Sequence, residues 1–224
     1  MDIIRYATLK AHPWRNGGGV TREVASGYSP GAEASTTPAG TAQDPDWDWR
    51  VSIAEVSKAG AFSAFPGMDR VLTVLEGELL LLSVDGVEHP LEKYRPFRFS
   101  GDADSAGALP TGDIRDLNVI TRRGVFKGYT SIIELSKKRA HPVFAGQLGI
   151  LLQGQATVGA GTAGSEPGTA PAVGTAAATA PAAVAEPVTL DRYDAVVGSD
   201  TASPEILGRG FLAVVSIDRM DGEP

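Results

Sequence analysis

The chain has 224 residues, 42% of them hydrophobic, which is enough for one large domain or two small ones. Its 27 acidic and 20 basic residues give a net charge of −7 without any long basic run, a balance that argues against nucleic-acid binding. The absence of cysteine excludes disulfides, thiolate metal sites and cysteine nucleophiles, and no apolar run reaches the length of a membrane span.

The N-terminus, Met1-Asp2-Ile3-Ile4-Arg5, lacks the basic-then-apolar pattern of a secretory signal, so a cytoplasmic location is expected. The first dense polar cluster is Trp14-Arg15-Asn16-Gly17-Gly18-Gly19-Val20-Thr21-Arg22-Glu23. Consecutive glycines let a backbone approach a ligand closely and present N–H groups to an anion. A tight turn ahead of a strand accounts for them equally well, and the Lys-Ser/Thr of a phosphate-binding P-loop is missing. Gly27 to Asp46, rich in Ser, Thr, Pro, Ala and Gly, reads as a mobile surface insertion.

From Trp47 to Val56, strand alternation puts Trp49, Val51 and Ile53 on one face and Arg50, Ser52 and Ala54 on the other. The second face suits a cavity wall or solvent, and periodicity alone leans to solvent. In the stretch Phe62 to Arg70, Pro66-Gly67 marks a turn with Phe62 and Phe65 beside it. Asp69 and Arg70, which follow, could pair with a ligand or with each other.

Strand patterns then dominate: Val71–Leu75, Leu79–Val84, Gly124–Leu135, Leu148–Leu152, Val188–Leu190, Ala195–Val197 and Phe211–Ile217. Asp85-Gly86 is a hairpin-turn dipeptide. No amphipathic helix longer than about three turns is evident. Asp113 to Arg123, with Asp116-Leu117-Asn118, falls between two similar halves and could cross from one to the other, a structural salt bridge being the commoner role for such residues.

The halves repeat. Val74-Leu75-Glu76-Gly77, a hairpin, and Leu91-Glu92-Lys93-Tyr94 recur as Leu151-Leu152-Gln153-Gly154, a low-complexity stretch, and Leu190-Asp191-Arg192-Tyr193. Gly154 to Pro187 then reads as a second mobile insertion at a hairpin tip, where added length costs little closure entropy. The expectation is an all-β chain of two jelly-roll β-barrels, residues 1–123 and 124–224, in a layout that resembles the cupins.

Catalytic and metal motifs are sparse. His12, His89 and His141 are scattered, each followed by Pro, and none has a partner at metal-ligand spacing, so neither a metal nor another cofactor is expected. No Gly-x-Ser-x-Gly elbow occurs.

Taken together, Trp14-x-Asn16-Gly17-Gly18-Gly19-x-Thr21-Arg22-Glu23, Trp49-Arg50-x-Ser52-x-Ala54, Phe62-Ser63-x-Phe65-Pro66-Gly67-x-Asp69-Arg70, Phe99-x-Gly101-Asp102 and Asp116-Leu117-Asn118 resemble the HutD/Ves family. The resemblance covers about residues 1 to 130 and is weaker beyond. It implies a bicupin with a metal-free small-molecule pocket, in a family linked to bacterial histidine utilisation. It also implies sensing or buffering of an intermediate such as urocanate or formylglutamate. The long Ala/Gly/Thr/Pro stretch departs from that compact pattern.

Two functions follow. In the first, a small carboxylate is bound by Arg50 and Arg70, with Asn16, Thr21 and Ser52 hydrogen-bonding it, Phe62 and Phe65 as walls, and Gly17, Gly18 and Asp69 contributing. In the second, a metal-free isomerase or hydrolase uses Glu23, Asp69 or Asp116 as general base. The lack of a histidine in any motif weighs against catalysis. Monomer and homodimer are both compatible with the sequence.

Overall fold

The computed structural model of the chain describes residues 1–28, 47–160 and 186–220. In chain order the strands are β1 (Asp2–Ile4), β2 (Ala11–Pro13), β3 (Gly19–Gly27), β4 (Trp49–Val56), β5 (Gly60–Ala61), β6 (Met68–Glu76), β7 (Leu79–Val84), β8 (Val87–Glu92) and β9 (Phe97–Ser100). They continue as β10 (Ser105–Ala108), β11 (Ile114–Arg122), β12 (Phe126–Leu135), β13 (His141–Pro142), β14 (Gln147–Ala160), β15 (Val188–Leu190), β16 (Ala195–Val197) and β17 (Pro204–Arg219). A single 3-10 turn, Tyr6–Thr8, is the only helical element among the described residues. None of their helices is long and apolar enough to cross a membrane.

Three sheets result. A six-stranded sheet runs β2-β3-β4-β11-β6-β9, and a four-stranded sheet runs β5-β10-β7-β8. A seven-stranded sheet runs β1-β16-β14-β17-β12, with β13 also on β17 and β15 on β14. The all-β expectation holds. The expected closed barrels do not appear: among the described residues each sheet is open, because its terminal strands do not pair with each other. The N-terminal strand β1 joins the sheet of the second half through Asp2↔Val197 to Ile4↔Ala195.

Alternation gives the six-stranded sheet two apolar faces. One face (Val24, Val51, Ile53, Val71, Leu117, Val119) packs on Leu148, Ile150, Leu152, Ala213 and Val215 of the seven-stranded sheet. Burying each such side chain contributes about 1.5–3 kcal/mol. The opposite face (Ala54, Leu72, Val74, Ile114) packs on Leu80, Leu82 and Leu91 of the four-stranded sheet. Asp113 to Arg123 is therefore no crossover; its strand β11 lies between β4 and β6.

Local sequence sets several joints. Asp85 (φ 48) and Gly86 (φ 80) close the β7–β8 hairpin as its two loop residues. The repeat-matched Tyr94 (φ 64) and Tyr193 (φ 70) both take the left-handed backbone, which is uncommon for an aromatic residue. Gly27 and Gly154 to Ala160 belong to β3 and β14, so these ends of the predicted insertions are strand. The stretches 29–46 and 161–185, on which the rest of those predictions falls, lie outside the described residues.

Candidate functional site

Antiparallel pairing lines residues up in rows across one face of the six-stranded sheet. The first row is His12, Thr21, Ala54, Asp116 and Val74. The second is Glu23, Ser52, Asn118, Leu72 and Phe97, and the third is Ser26, Arg50, Ile120, Arg70 and Phe99. Register shifts at Glu23/Ala25 on β3 and opposite Arg115/Asp116 on β6 each insert one residue, Val24 and Leu75, into the opposite core. Such bulges re-aim the side chains that flank them. Here they bring Glu23 and Ser26, and Val74 and Glu76, into step with the neighbouring strands.

A cavity of about 560 Å³ opens on this face. Its wall takes Arg50, Ser52 and Ala54 from β4, Arg70 from β6, Asn118 and Ile120 from β11 and Thr21 from β3. His12 and Pro13 of β2, Ala61 of β5 and the loop residues Trp14, Arg15, Asn16, Trp47, Phe62, Ser63 and Phe65 complete it. The second face of the Trp49–Val56 strand thus borders a cavity and not open solvent.

Of the ten residues singled out in the sequence, Asn16, Thr21, Arg50, Ser52, Phe62, Phe65 and Arg70 line this cavity. Gly17, Gly18 and Asp69 do not. The Gly17 N–H donates to the Trp14 carbonyl at 3.0 Å and the Gly18 N–H to Asn16 Oδ1 at 2.9 Å. The glycine run is therefore a turn whose first two donors are spent internally. Asp69 lies on the opposite side of β6 from Arg70, as alternation requires, and accepts from Arg123 Nε at 2.9 Å. Asp69 and Arg70 cannot pair with each other.

Arg70 is the distinctive group, with only 4% of its surface exposed. Its Nη2 donates to Asn118 Oδ1 at 2.8 Å and its Nη1 to the Ser63 carbonyl at 3.3 Å, while its Nε has no hydrogen-bond partner among the described residues. Three rings surround the guanidinium, Phe99 at 4.8 Å, Phe65 at 5.4 Å and Phe62 at 5.8 Å from their centroids. Among the described residues, no carboxylate lies within ion-pair distance of it. Burial lowers its pKa to about 10, against the opposing pull of Asp116.

Asp116 sits behind Asn118, off the cavity wall. Its Oδ1 accepts from Asn118 Nδ2 at 2.5 Å and its Oδ2 has no hydrogen-bond partner among the described residues. Burial pushes its carboxyl up to about 7, although Arg70 and the Asn118 hydrogen bond both favour the ionised form. Arg50, more accessible, stacks over Trp47 at 5.9 Å and lies with Nε 3.0 Å from Glu23 Oε2, without hydrogen-bond alignment. The cavity is thus cationic at three arginines, buried Arg70, Arg50 and exposed Arg15, polar at Ser52, Asn118 and Thr21, and apolar at its aromatic walls. Among the described residues no group of three or more His, Asp or Glu is placed to hold a metal.

The loops that shape the mouth are pinned. Trp14 Nε1 donates to Thr21 Oγ1 at 2.7 Å, and its ring meets Phe62 edge-on at 6.1 Å. The Phe65 N–H donates to the Gly101 carbonyl and the Gly67 N–H to Asp102 Oδ1, at 2.8 and 2.9 Å. The Gly67 N–H, with Arg123 and Ser100 on the same carboxylate, holds exposed Asp102 down at about 2. Sequence reasoning missed His12, Trp14, Trp47, Ser63 and Ile120 as lining residues and gave Asn118 no role. Only the register across β4, β11 and β6 reveals that Asn118 neighbours Ser52.

A family model described as HutD matches residues 6–214. The protein Ves of Citrobacter koseri is 37% identical over 125 residues, 55% of this chain, and the match spans 59% of that relative's length. The structure of HutD from Pseudomonas fluorescens SBW25, determined in a formate condition, has a TM-score of 0.68 at 24% identity, covering 98% of this chain and 99% of that one. A Cupin 2 conserved barrel domain protein from Leptotrichia buccalis has a TM-score of 0.54 at 6% identity, covering 97% and 96%. The fold is cupin-like.

Proposed function

We propose that this chain, which belongs to the HutD family, binds a small carboxylate in the cavity of its six-stranded sheet. The observation that carries this reading is Arg70: a buried cation with an unpartnered Nε, on the wall of a cavity, with no carboxylate in direct contact among the described residues. A guanidinium can hold a carboxylate through two parallel hydrogen bonds. Ser52, Asn118 and Thr21 offer further polar contacts, and Phe62 and Phe65 exclude water from the ion pair.

The finer reading is that the ligand is an intermediate of histidine catabolism, urocanate or formylglutamate, which the protein senses or buffers. The family name and the motif set support this assignment. We also read the chain as two cupin-like units, the repeat-matched Tyr94 and Tyr193 with their shared backbone conformation being the support.

A metal-free active site is the alternative, and Asp116 is its best acid/base because its carboxyl is held near neutrality. Asn118 stands between Asp116 and the cavity, which favours binding over catalysis. A thermal-shift panel of urocanate, formylglutamate, histidine and glutamate tests the proposal. A ligand at about a hundred times its dissociation constant stabilises the fold by roughly 2.7 kcal/mol. A shift with one compound that disappears in Arg50→Ala and Arg70→Lys supports the reading. The absence of a shift with all four detaches the protein from this pathway.

A further inference from the structure

We propose that the cavity takes up its anionic ligand together with a proton, and that the proton goes to the carboxyl of Asp116. This rests on the carboxylate-binding reading and adds to it a residue that governs ligand affinity without touching the ligand.

The geometry makes Arg70 the counter-charge that the ligand and Asp116 would share. Arg70 Nη2 donates to Asn118 Oδ1 at 2.8 Å, and Asn118 Nδ2 donates to Asp116 Oδ1 at 2.5 Å. Both charged residues are buried, at 4% and 1% exposure. The cross-strand neighbours of Asp116 are Ala54 on β4 and Val74 on β6, and the facing sheet presents Leu80 and Leu82 to this core. The other titratable or charged groups facing this core are Arg50 on β4, Glu23 on β3, His12 on β2 and Arg122 on β11, with Arg15 at the cavity rim and His89 on β8 of the facing sheet against Phe97; Arg50 already lies against Glu23 and Arg122 against Asp48.

Without a bound anion the Arg70–Asp116 set carries one positive and one negative charge. Adding a carboxylate at Arg70 would leave two buried anions on one cation. A proton from solvent on Asp116 restores a sum of zero. Burial favours the neutral carboxyl once its counter-charge is engaged elsewhere. Oδ2, which has no hydrogen-bond partner among the described residues, is the atom that receives the proton. A pKa of about 7 leaves that carboxyl mostly ionised just above neutrality, so there is a proton to gain.

The test is calorimetric titration with formylglutamate, and with acetate as a minimal probe, in buffers of different protonation enthalpy at about pH 7.5. The expected uptake is roughly 0.7 proton per bound anion, with affinity falling up to about eightfold over the next pH unit. Asp116→Asn should still bind but lose both the uptake and the pH slope, while His89→Gln, outside the cavity lining, should keep them. Binding without proton uptake, or uptake that persists in Asp116→Asn, overturns this inference and leaves the carboxylate reading standing. Absence of binding by either probe overturns both. If Asp116→Asn does not fold, a wild-type proton count per bound anion that survives in both His12→Gln and His89→Gln supports the inference, and a count lost in either overturns it.

Discussion

Arg70 and Asp116 make no direct contact; Asn118 joins them, accepting from the guanidinium at 2.8 Å and donating to the carboxyl at 2.5 Å. Burial moves each toward its neutral form, Arg70 down to about 10 and Asp116 up to about 7, so desolvation outweighs their attraction. The set is poised more for an incoming charge than for stability.

The first prediction is a pH dependence of folding. The folded-state value for Asp116, about 7, lies above its ordinary 3.8, so the native state binds more protons than the unfolded chain between those values. Its contribution to stability is therefore fully present below pH 3.8 and is lost as pH rises toward 7. Asp116→Asn removes this loss. Relative to wild type, the variant should gain on the order of a few kcal/mol between pH 5 and pH 8, read by chemical denaturation. A constant difference across that range would contradict the assignment.

Removing Arg70 alone should be costly. Arg70→Met strips Asp116 of its one counter-charge and should lower stability at pH 8 by about 3–5 kcal/mol. The double variant Arg70→Met/Asp116→Asn should recover much of that loss, because neither charge is then left alone. A double-mutant cycle at pH 8 measures the coupling, and additive losses would show the two residues to be independent.

Gly101 supports the cavity from behind. A Cβ there would sit 2.5 Å from the Phe65 carbonyl oxygen and 2.9 Å from that of Met68, both backbone atoms that cannot swing away. Gly101→Ala should cost about 1–3 kcal/mol and, by displacing Phe65, weaken ligand binding. Gly86→Ala, with nothing within 4 Å but a φ of +80°, should cost only about 1–2 kcal/mol and leave binding intact. Melting temperatures and ligand titrations of the two variants separate the effects.

The paired tyrosines should differ in weight. The Tyr193 hydroxyl donates to Glu76 Oε1 at 2.6 Å from a buried position between the halves, whereas the Tyr94 hydroxyl reaches Gln153 only at 3.4 Å near the surface. Tyr193→Phe should lose about 1.5–3 kcal/mol in a denaturation curve, the range for a hydrogen bond to a charged group. Tyr94→Phe should lose less than about 1 kcal/mol.

Local pattern carried the fold further than it carried the site. Val188–Leu190 and Ala195–Val197 were legible to the residue, because β-branched and apolar runs there are bounded by turn residues. Alternation correctly put Arg50 and Ser52 on one face, but whether that face met solvent or a cavity depends on the four-stranded sheet lying over it. The same alternation separates Asp69 from Arg70, a consequence that motif adjacency hid. Asp116 and Asn118 could be read only as an acid and an amide two residues apart. Their meeting with Arg70 needs the pairing of β11 with β6 across more than forty residues of chain, which no local pattern encodes.

An NMR titration of the arginine Nε–H signals with formylglutamate tests the central claim most directly, the Arg70 signal being identified by its loss in Arg70→Lys. The account predicts a saturable shift of the Arg70 signal, whose donor has no hydrogen-bond partner among the described residues, with the exposed Arg139 and Arg219 unmoved. Shifts confined to exposed arginines, or none at all with formylglutamate in excess, would contradict a carboxylate site at Arg70.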